Sequence, residues 1–257
     1  MATVRYEPRE RIAVLTIDRE ERRNALNADL CDQLRAHLAE HKDLLAVVVT
    51  GAGSAFCAGA DLATRFADGD SRHGGSDTFR PAFERMLDAI VDHPAPVIAA
   101  INGPAIGAGM QLAVACDIRV AAPSARLAIP AGRLGILLSP ANIRRLAHLV
   151  GHGLARDFLI TGREATGDEA QRIGLVQRVD SEPLVAAVGI AADISSFAPL
   201  TVQGHKRALN LIEAAAPLGK SAREEIAKLE AQAFASDDLR EGMAAFAEKR
   251  PPLFRGR

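Results

Sequence analysis

Two short stretches rich in small residues could hold a developing negative charge on backbone N–H groups: Cys57-Ala58-Gly59-Ala60-Asp61-Leu62 and Ile106-Gly107-Ala108-Gly109-Met110-Gln111. Small side chains let a bulky ligand come close to the main chain. The second stretch follows the turn Asn102-Gly103-Pro104 and opens an apolar segment that reads as a helix to about Cys116. The first N–H groups of a helix have no internal partner and carry the positive end of its dipole. Donors fixed before reaction stabilise an oxyanion as it forms, and loss of one costs about 2.7–4 kcal/mol. Each motif also has a plain reading. A small triplet ahead of a helix packs tightly, and Ala58-Gly59-Ala60-Asp61 can be an ordinary turn. Their combination with flanking strands favours the chemical reading.

Groups able to move a proton are sparse around these stretches. Gln111 carries an amide, which can position a water or satisfy nearby backbone groups. Asp68, Asp70, His73, Asp77 and Glu84 lie in or near a polar, Gly-rich segment, Ala63–Thr78, read as a mobile surface loop. His73 is a conceivable base there, and equally an exposed loop histidine. His148 and His152 flank the break Gly151–Gly153 and read as surface or capping groups. No His/Glu pair reads as zinc-spaced, so no metal site is expected, and no Ser–His–acid arrangement is evident.

Regular elements must position these groups. Ile12–Ile17 reads as the second of two N-terminal strands, with Glu7–Arg11 as the turn between them. Asn27 is a candidate N-cap for a helix whose Leu30, Leu34 and Leu38 share one face. Ala46–Thr50 is a β-branched run ended by Gly51, as expected for a buried strand. Phe83, Met86, Leu87, Ile90 and Val91 mark an amphipathic helix stopped by Pro94 and Pro96. Val97–Ile101, Ile118–Ala122 and Leu127–Ile129 read as further strands. From Asn142 on, nearly everything reads as helical, with breaks at Gly151–Gly153, Gly167, Gly174 and Pro199. Leu175–Val179 is a last candidate strand, and Ser221–Glu248 a tail helix. The order gives a mixed α/β fold with an α-helical C-terminal third.

Composition narrows the function classes. The 257 residues, 48% hydrophobic, suit one large domain or one domain with a helical extension. A net charge of -1, from 31 basic and 32 acidic residues, gives no nucleic-acid surface or polybasic membrane patch. Nine Phe, one Tyr and no Trp make base stacking an unsuitable mode of binding. Cys31, Cys57 and Cys116 read as free thiols of a reducing compartment. The charged N-terminus does not read as a signal peptide, and no apolar run reaches the roughly 18–20 residues of a membrane span. A soluble, cytoplasmic protein is expected.

Several stretches together resemble the crotonase (enoyl-CoA hydratase/isomerase) family, and most of all its mycobacterial-type members that lack the catalytic glutamates. They are Arg22–Asn27, Val47–Gly51 followed by Phe56–Leu62, and Ile101–Leu112 closing with Cys116-Asp117. Asp168–Val176 and Phe246–Arg250 extend the match over essentially the whole chain. The resemblance implies a spiral of ββα units over residues 1–195 and a helical trimerisation region over 196–257. It implies homotrimers, often paired into hexamers, and fatty-acid metabolism. The ligand would be an acyl-CoA or enoyl-CoA thioester, with coenzyme A arriving as part of the substrate and no separate cofactor.

The same resemblance assigns the oxyanion donors to the N–H groups of Ala60 and Ala108. It places coenzyme A along the backbone of Ala25 and Leu26 and the loop Ala58–Leu62, which includes Asp61. Arg22 or Arg23 would meet a phosphate, or form a solvated turn. Lys249 would reach a neighbouring subunit's coenzyme A, or stay in solvent. The family's hydratases use two carboxylates, and here those positions hold Gln111 and Ala131. A third acid position, used by some isomerases and dehalogenases, aligns with Ser139, which also reads as a helix cap. The expectation is therefore a thioester-holding protein with doubtful hydratase activity. The alternatives are a non-catalytic acyl-CoA carrier or partner-binding protein, and an isomerase or other enolate enzyme with a base from residues 63–78.

Overall fold

The computed structural model describes residues 2–62, 78–214 and 220–253. The expected loop and its Asp68, Asp70, His73 and Asp77 thus lie outside the described residues. β1 (Thr3–Arg9) and β2 (Ile12–Asp18) pair antiparallel, in register from Thr3↔Asp18 to Arg9↔Ile12. The turn is therefore shorter than Glu7–Arg11. Its charged residues Glu7 and Arg9 lie in β1, an edge strand whose outer face tolerates charge.

β3 (Ala46–Gly51), β4 (Val97–Ile101), β6 (Ile118–Ala121) and β9 (Arg178–Val179) add in parallel, giving the order β1-β2-β3-β4-β6-β9. Both faces of this sheet are covered, so β3 and β4 are buried at every residue. Alternate residues feed two cores, as the period of a strand requires. Leu15, Ile17, Val47, Val49, Val97, Ala99 and Ile101 join the main core, with Leu30, Leu34 and Leu38 of α1 (Ala28–Glu40) and Met86, Leu87 and Ile90 of α2 (Phe79–Asp92). Val14, Val48, Ile98, Ala100 and Val120 face the other way, onto Ala187, Ile190 and Ala191 of α6 (Pro183–Ser195). Asn27 caps α1 as expected, accepting from the N–H of Leu30 at 2.9 Å.

A second, three-stranded sheet runs β5 (Ala105–Ile106), β7 (Arg126–Ala128) and β8 (Glu164–Thr166). β8 falls in the region read as helical. Three residues carry no period, and only pairing with β7 defines the strand. Of the candidate strand Leu175–Val179, only Arg178–Val179 joins a ladder. α3 (Ala108–Ala115) follows β5, and α4 (Pro140–Arg156) packs against it, kinked at Gly151, where φ is 79°. α5 (Gly167–Arg172) follows β8.

The tail begins with α7 (Pro199–Ala214), fastened by the buried Lys206, which donates to the carbonyls of Ile90 and Ala95 and to Asp117 Oδ2 at 2.8–3.1 Å. The expected single helix Ser221–Glu248 is two helices, α8 (Lys220–Ala235) and α9 (Asp237–Glu248). Ser236 breaks it, because its hydroxyl accepts from the N–H of Leu239 and starts a new helix with Asp237 and Asp238 in the first turn. No single helix among the described residues is long and apolar enough to cross a membrane.

Candidate active site

The segment from Ala52 to Asp61 belongs to no helix or extended strand, so its shape rests on bonds from outside it. Asn24, buried and at a φ of 59°, donates to the carbonyls of Ala52 and Ala55 at 2.8 and 2.7 Å. Asn102 donates to those of Gly51 and Gly53 at 2.9 and 2.8 Å. Asp61, 8% exposed, meets Arg19 Nη2 at 2.7 Å, and Arg19 also donates to the carbonyl of Ala25. Cys57 bridges to the turn before α3, donating to the carbonyl of Pro104 and accepting from the N–H of Ile106, both at 3.0 Å.

This anchoring determines where one candidate donor points. Leu26 donates to the carbonyl of Gly59 at 2.8 Å and accepts from the N–H of Asp61 at 2.7 Å. In such a parallel bridge the residue between those two, Ala60, directs its own N–H away from the ladder. Ala108 is the first residue of α3, where no intrahelical acceptor exists. Neither N–H has a hydrogen-bond partner among the described residues, and both residues line one cleft of about 470 Å³. Two glycines allow the approach. Gly59 takes a φ of 114°, and a Cβ there would lie 3.0 Å from the carbonyl oxygen of Ile106 and 3.9 Å from the nitrogen of Ala108. A Cβ on Gly109 would fall 2.2 Å from the carbonyl oxygen of Cys57.

Of the residues expected at the ligand, Arg22, Arg23, Ala25, Ala58, Ala60, Asp61, Leu62, Ala108 and Gln111 line this cleft. Leu26 does not: its side chain is fully buried and its backbone is consumed by the bridge. Lys249 lies outside the lining, exposed and left-handed at the C-terminus of α9. Phe234 of α8 and Phe246 of α9 do reach the cleft, a contribution from the tail that sequence reasoning missed. α9 is seated on the 3-10 turn Ala131–Leu134, where a Cβ on Gly242 would lie 2.9 Å from Leu134.

Side chains make up the rest of the lining. Gln111 donates to the carbonyl of Gly107 at 3.3 Å, which fits its plainer reading. Ala131 opens the 3-10 turn. Ser139 caps α4, accepting from the N–H of Asn142 at 3.4 Å. Its hydroxyl also hydrogen-bonds Glu84, half-way along α2 and inside the same cleft. Asn142 Nδ2 donates to Glu84 Oε1 at 3.0 Å. Arg145 donates to Asn142 Oδ1 at 2.7 Å and to Asp88 at 2.8 Å. Burial pushes the Glu84 carboxyl above the ordinary carboxylate range, with a smaller push from Asp88, against the hydrogen bond of Ser139 and the charges of Arg145 and Arg80. Glu84 entered the sequence reading only as a neighbour of the 63–78 segment. The contacts that distinguish it arise from the packing of α2 against α4.

The three thiols are buried and unpaired. Burial pushes Cys57 and Cys116 up to about 12, which makes them poor nucleophiles. Away from the cleft, one close group of potential ligand atoms was not singled out by the sequence reading. His37, Glu40 and His41 bring donor atoms within 4.8 Å of one another, since residues three and four apart share a helix face.

Comparison with known proteins agrees with the geometry. The profile of the enoyl-CoA hydratase/isomerase family matches residues 7–257. The chain is 41% identical to the probable enoyl-CoA hydratase echA6 of Mycobacterium leprae, covering 96% of this chain and 97% of that one. The crystal structure of enoyl-CoA hydratase/isomerase from Pseudoalteromonas atlantica superposes with a TM-score of 0.83 at 32% identity, over 98% of this chain and 99% of the other. Methylmalonyl-CoA decarboxylase in complex with 2-nitronate-propionyl-CoA shares the fold at 23% identity, with a TM-score of 0.89 over 99% and 98% of the two chains. With its ββα architecture, its small-residue cleft and a family match over nearly its whole length, the chain belongs to the crotonase, or enoyl-CoA hydratase/isomerase, family.

Proposed function

We propose that this protein binds acyl-CoA or enoyl-CoA thioesters, with the thioester oxygen received by the N–H groups of Ala60 and Ala108. The observation that carries this reading is the pair of unpartnered backbone donors in one cleft, from two segments held together by the Cys57–Ile106 bridge. Leu62, Phe79, Phe83, Ile136 and Leu138 supply apolar surface for an acyl chain, and Arg22 and Arg23 supply positive charge for a phosphate. The solved relative with 2-nitronate-propionyl-CoA supports a CoA thioester as the ligand class. Coenzyme A is then part of the substrate, no separate cofactor is needed, and the setting is cytoplasmic fatty-acid metabolism.

Water addition across C2=C3 needs one group to take a proton from water and one to deliver a proton to C2. Neither Gln111 nor Ala131 exchanges a proton near neutral pH, so crotonyl-CoA hydration is expected to be very weak. Calorimetric titration with a series of acyl-CoA thioesters, run beside a crotonyl-CoA hydration assay, tests both halves. Binding without rapid hydration is the expected result. Hydration at the rate of a working hydratase breaks the second half, and no binding breaks the first. A non-catalytic carrier is the second reading, favoured by the same two replacements, and it predicts binding with no turnover of any kind.

We also propose assembly as a homotrimer, or a dimer of trimers, through the helical region 196–257. Phe197, Leu200, Leu209 and Ile212 there are each more than half exposed, an apolar surface that a subunit contact would cover. Light scattering after gel filtration gives the mass, and a monomer would exclude the assembly.

A further inference from the structure

We infer that Glu84 is the proton-transfer residue of the cleft, a carboxylate supplied by α2 and aimed by Asn142 and Ser139. The inference rests on the thioester reading given above. Among the described lining residues, five other charged side chains could compete for the role, and their settings argue against each. Glu21 lies at the rim, its side chain 70% exposed. Asp61 is held by Arg19 at 2.7 Å and anchors the loop. Arg22, Arg23 and Arg80 carry guanidinium groups, which are hydrogen-bond donors with no acceptor for a proton. Glu84 is the remaining carboxyl among the described lining residues.

Its orientation is set from behind. Asp88 holds Arg145, and Arg145 donates to Asn142 Oδ1, so the amide of Asn142 must turn Nδ2 toward Glu84. The backbone N–H of Asn142 occupies an acceptor site of the Ser139 hydroxyl, leaving the hydroxyl proton for the carboxylate of Glu84. Asn142 and Gln111 border one small void between α4 and α3. Facing Glu84 are the charges of Arg80 and Asp88 on its own helix and of Arg145 on α4. Its raised pKa brings it nearer the working pH, which suits a general base.

One such group supports a definite reaction. The Glu84 carboxylate takes a proton from C2 of the bound thioester. The C2–H pair becomes the C1=C2 bond, and the carbonyl π pair moves onto the oxygen held by Ala60 and Ala108. Return of the proton to C2 restores the ester. With a 3-enoyl thioester, return at C4 instead moves the double bond from C3=C4 to C2=C3. No oxidant or reductant is required, and no second proton-transfer group, which hydration would need.

The test is deuterium incorporation at C2 of butyryl-CoA in deuterium oxide, followed by mass spectrometry, with butyryl-CoA affinity measured by calorimetry on the same samples. Wild-type protein is expected to exchange, with a rate that rises with pH to a plateau and a midpoint above the ordinary carboxylate range. Glu84→Gln is expected to lower the rate by about 10²-fold or more, the share of one general base, while affinity changes by less than about threefold. Glu84→Asp, with its carboxyl drawn back by one methylene, should retain partial exchange and the pH limb. If Glu84→Gln does not fold, Glu84→Asp carries the test, and an unchanged rate with an unchanged limb overturns the inference. So does exchange at the wild-type rate in Glu84→Gln, and so does wild-type protein that binds butyryl-CoA but never exchanges it. Absence of binding would instead sink the thioester reading, and this inference with it.

Discussion

The two walls of the cleft are built from different materials. The wall formed by Ala58–Leu62 and the start of α3 presents backbone N–H groups, fixed by Asn24, Asn102, Asp61 and the bridges to Leu26 and Ile106. The lining from α2, the Ala131–Leu134 turn and the start of α4 presents the side chains of Glu84, Ala131 and Ser139, and Gln111 adds its own from the second turn of α3. A backbone donor survives any substitution that preserves the chain path, whereas a side-chain acid is lost in one exchange. The first wall can therefore stay constant while the second is rewritten. Under the proposed function, that asymmetry would let such a chain keep backbone donors for a thioester while its side-chain acids change.

The largest expected effect tests whether packing holds the backbone wall. Gly109→Ala should destabilise the protein by more than about 3 kcal/mol, at the upper end of overpacking, because the new Cβ meets the carbonyl oxygen of Cys57 at 2.2 Å. Helix propensity alone would favour the change by about 1 kcal/mol. A denaturation midpoint that rose or stayed constant would show that α3 and the loop are not in tight contact.

Next comes an attempt to rewrite the side-chain wall. Gln111→Glu combined with Ala131→Glu should raise crotonyl-CoA hydration by about 10²-fold or more, since each positioned acid or base contributes roughly 10²–10⁴. No gain from a folded double variant would mean that the acyl pocket has changed along with the acids. A smaller effect probes how the backbone wall is pinned. Asp61→Asn takes from the partly buried Arg19 its closest counter-charge, leaving Glu21 at 3.8 Å, and should cost about 1–2 kcal/mol in unfolding free energy, with weaker acyl-CoA binding because the loop carrying Ala60 loosens. A stable variant with unchanged affinity would show that Asn24 and Asn102 suffice.

The two walls also differ in how far they can be read from sequence. The backbone wall announces itself locally. Gly59 and the triplet Gly107-Ala108-Gly109 each sit in one unbroken run of small residues, the strands before them are β-branched or Ala-rich, and Asn27 marks a helix start. The side-chain wall does not. Asn142 and Glu84 are 58 residues apart and meet only because α2 packs against α4. The break at Ser236 hides in an alanine-rich run that favours helix on both sides, and β8 exists only through its partner β7. Leu26 shows the reverse case: its place in a motif suggested a ligand contact, and in the fold its N–H and carbonyl bond Gly59 and Asp61.

The finest test lies at Ser139, where stability and the state of Glu84 are joined. Ser139→Ala removes the N-cap of α4, a loss of about 1 kcal/mol. It also removes a hydrogen bond that lowers the pKa of Glu84, so that pKa should rise further. A carboxyl whose pKa is raised by folding binds its proton more tightly in the native state than in the unfolded one. Stability therefore falls as pH rises from the unfolded value through the native value, and the deficit persists above it. The stability lost in Ser139→Ala should accordingly be larger at pH 8 than at pH 5, by a few tenths of a kcal/mol, and urea denaturation at the two values measures it. Ser139→Asp separates the two effects. The aspartate keeps a cap acceptor, but it sets a second negative charge beside Glu84 and should move the Glu84 titration up more than alanine does. A Glu84 titration that moved in neither variant would uncouple Ser139 from the carboxyl and leave the cap as its one role.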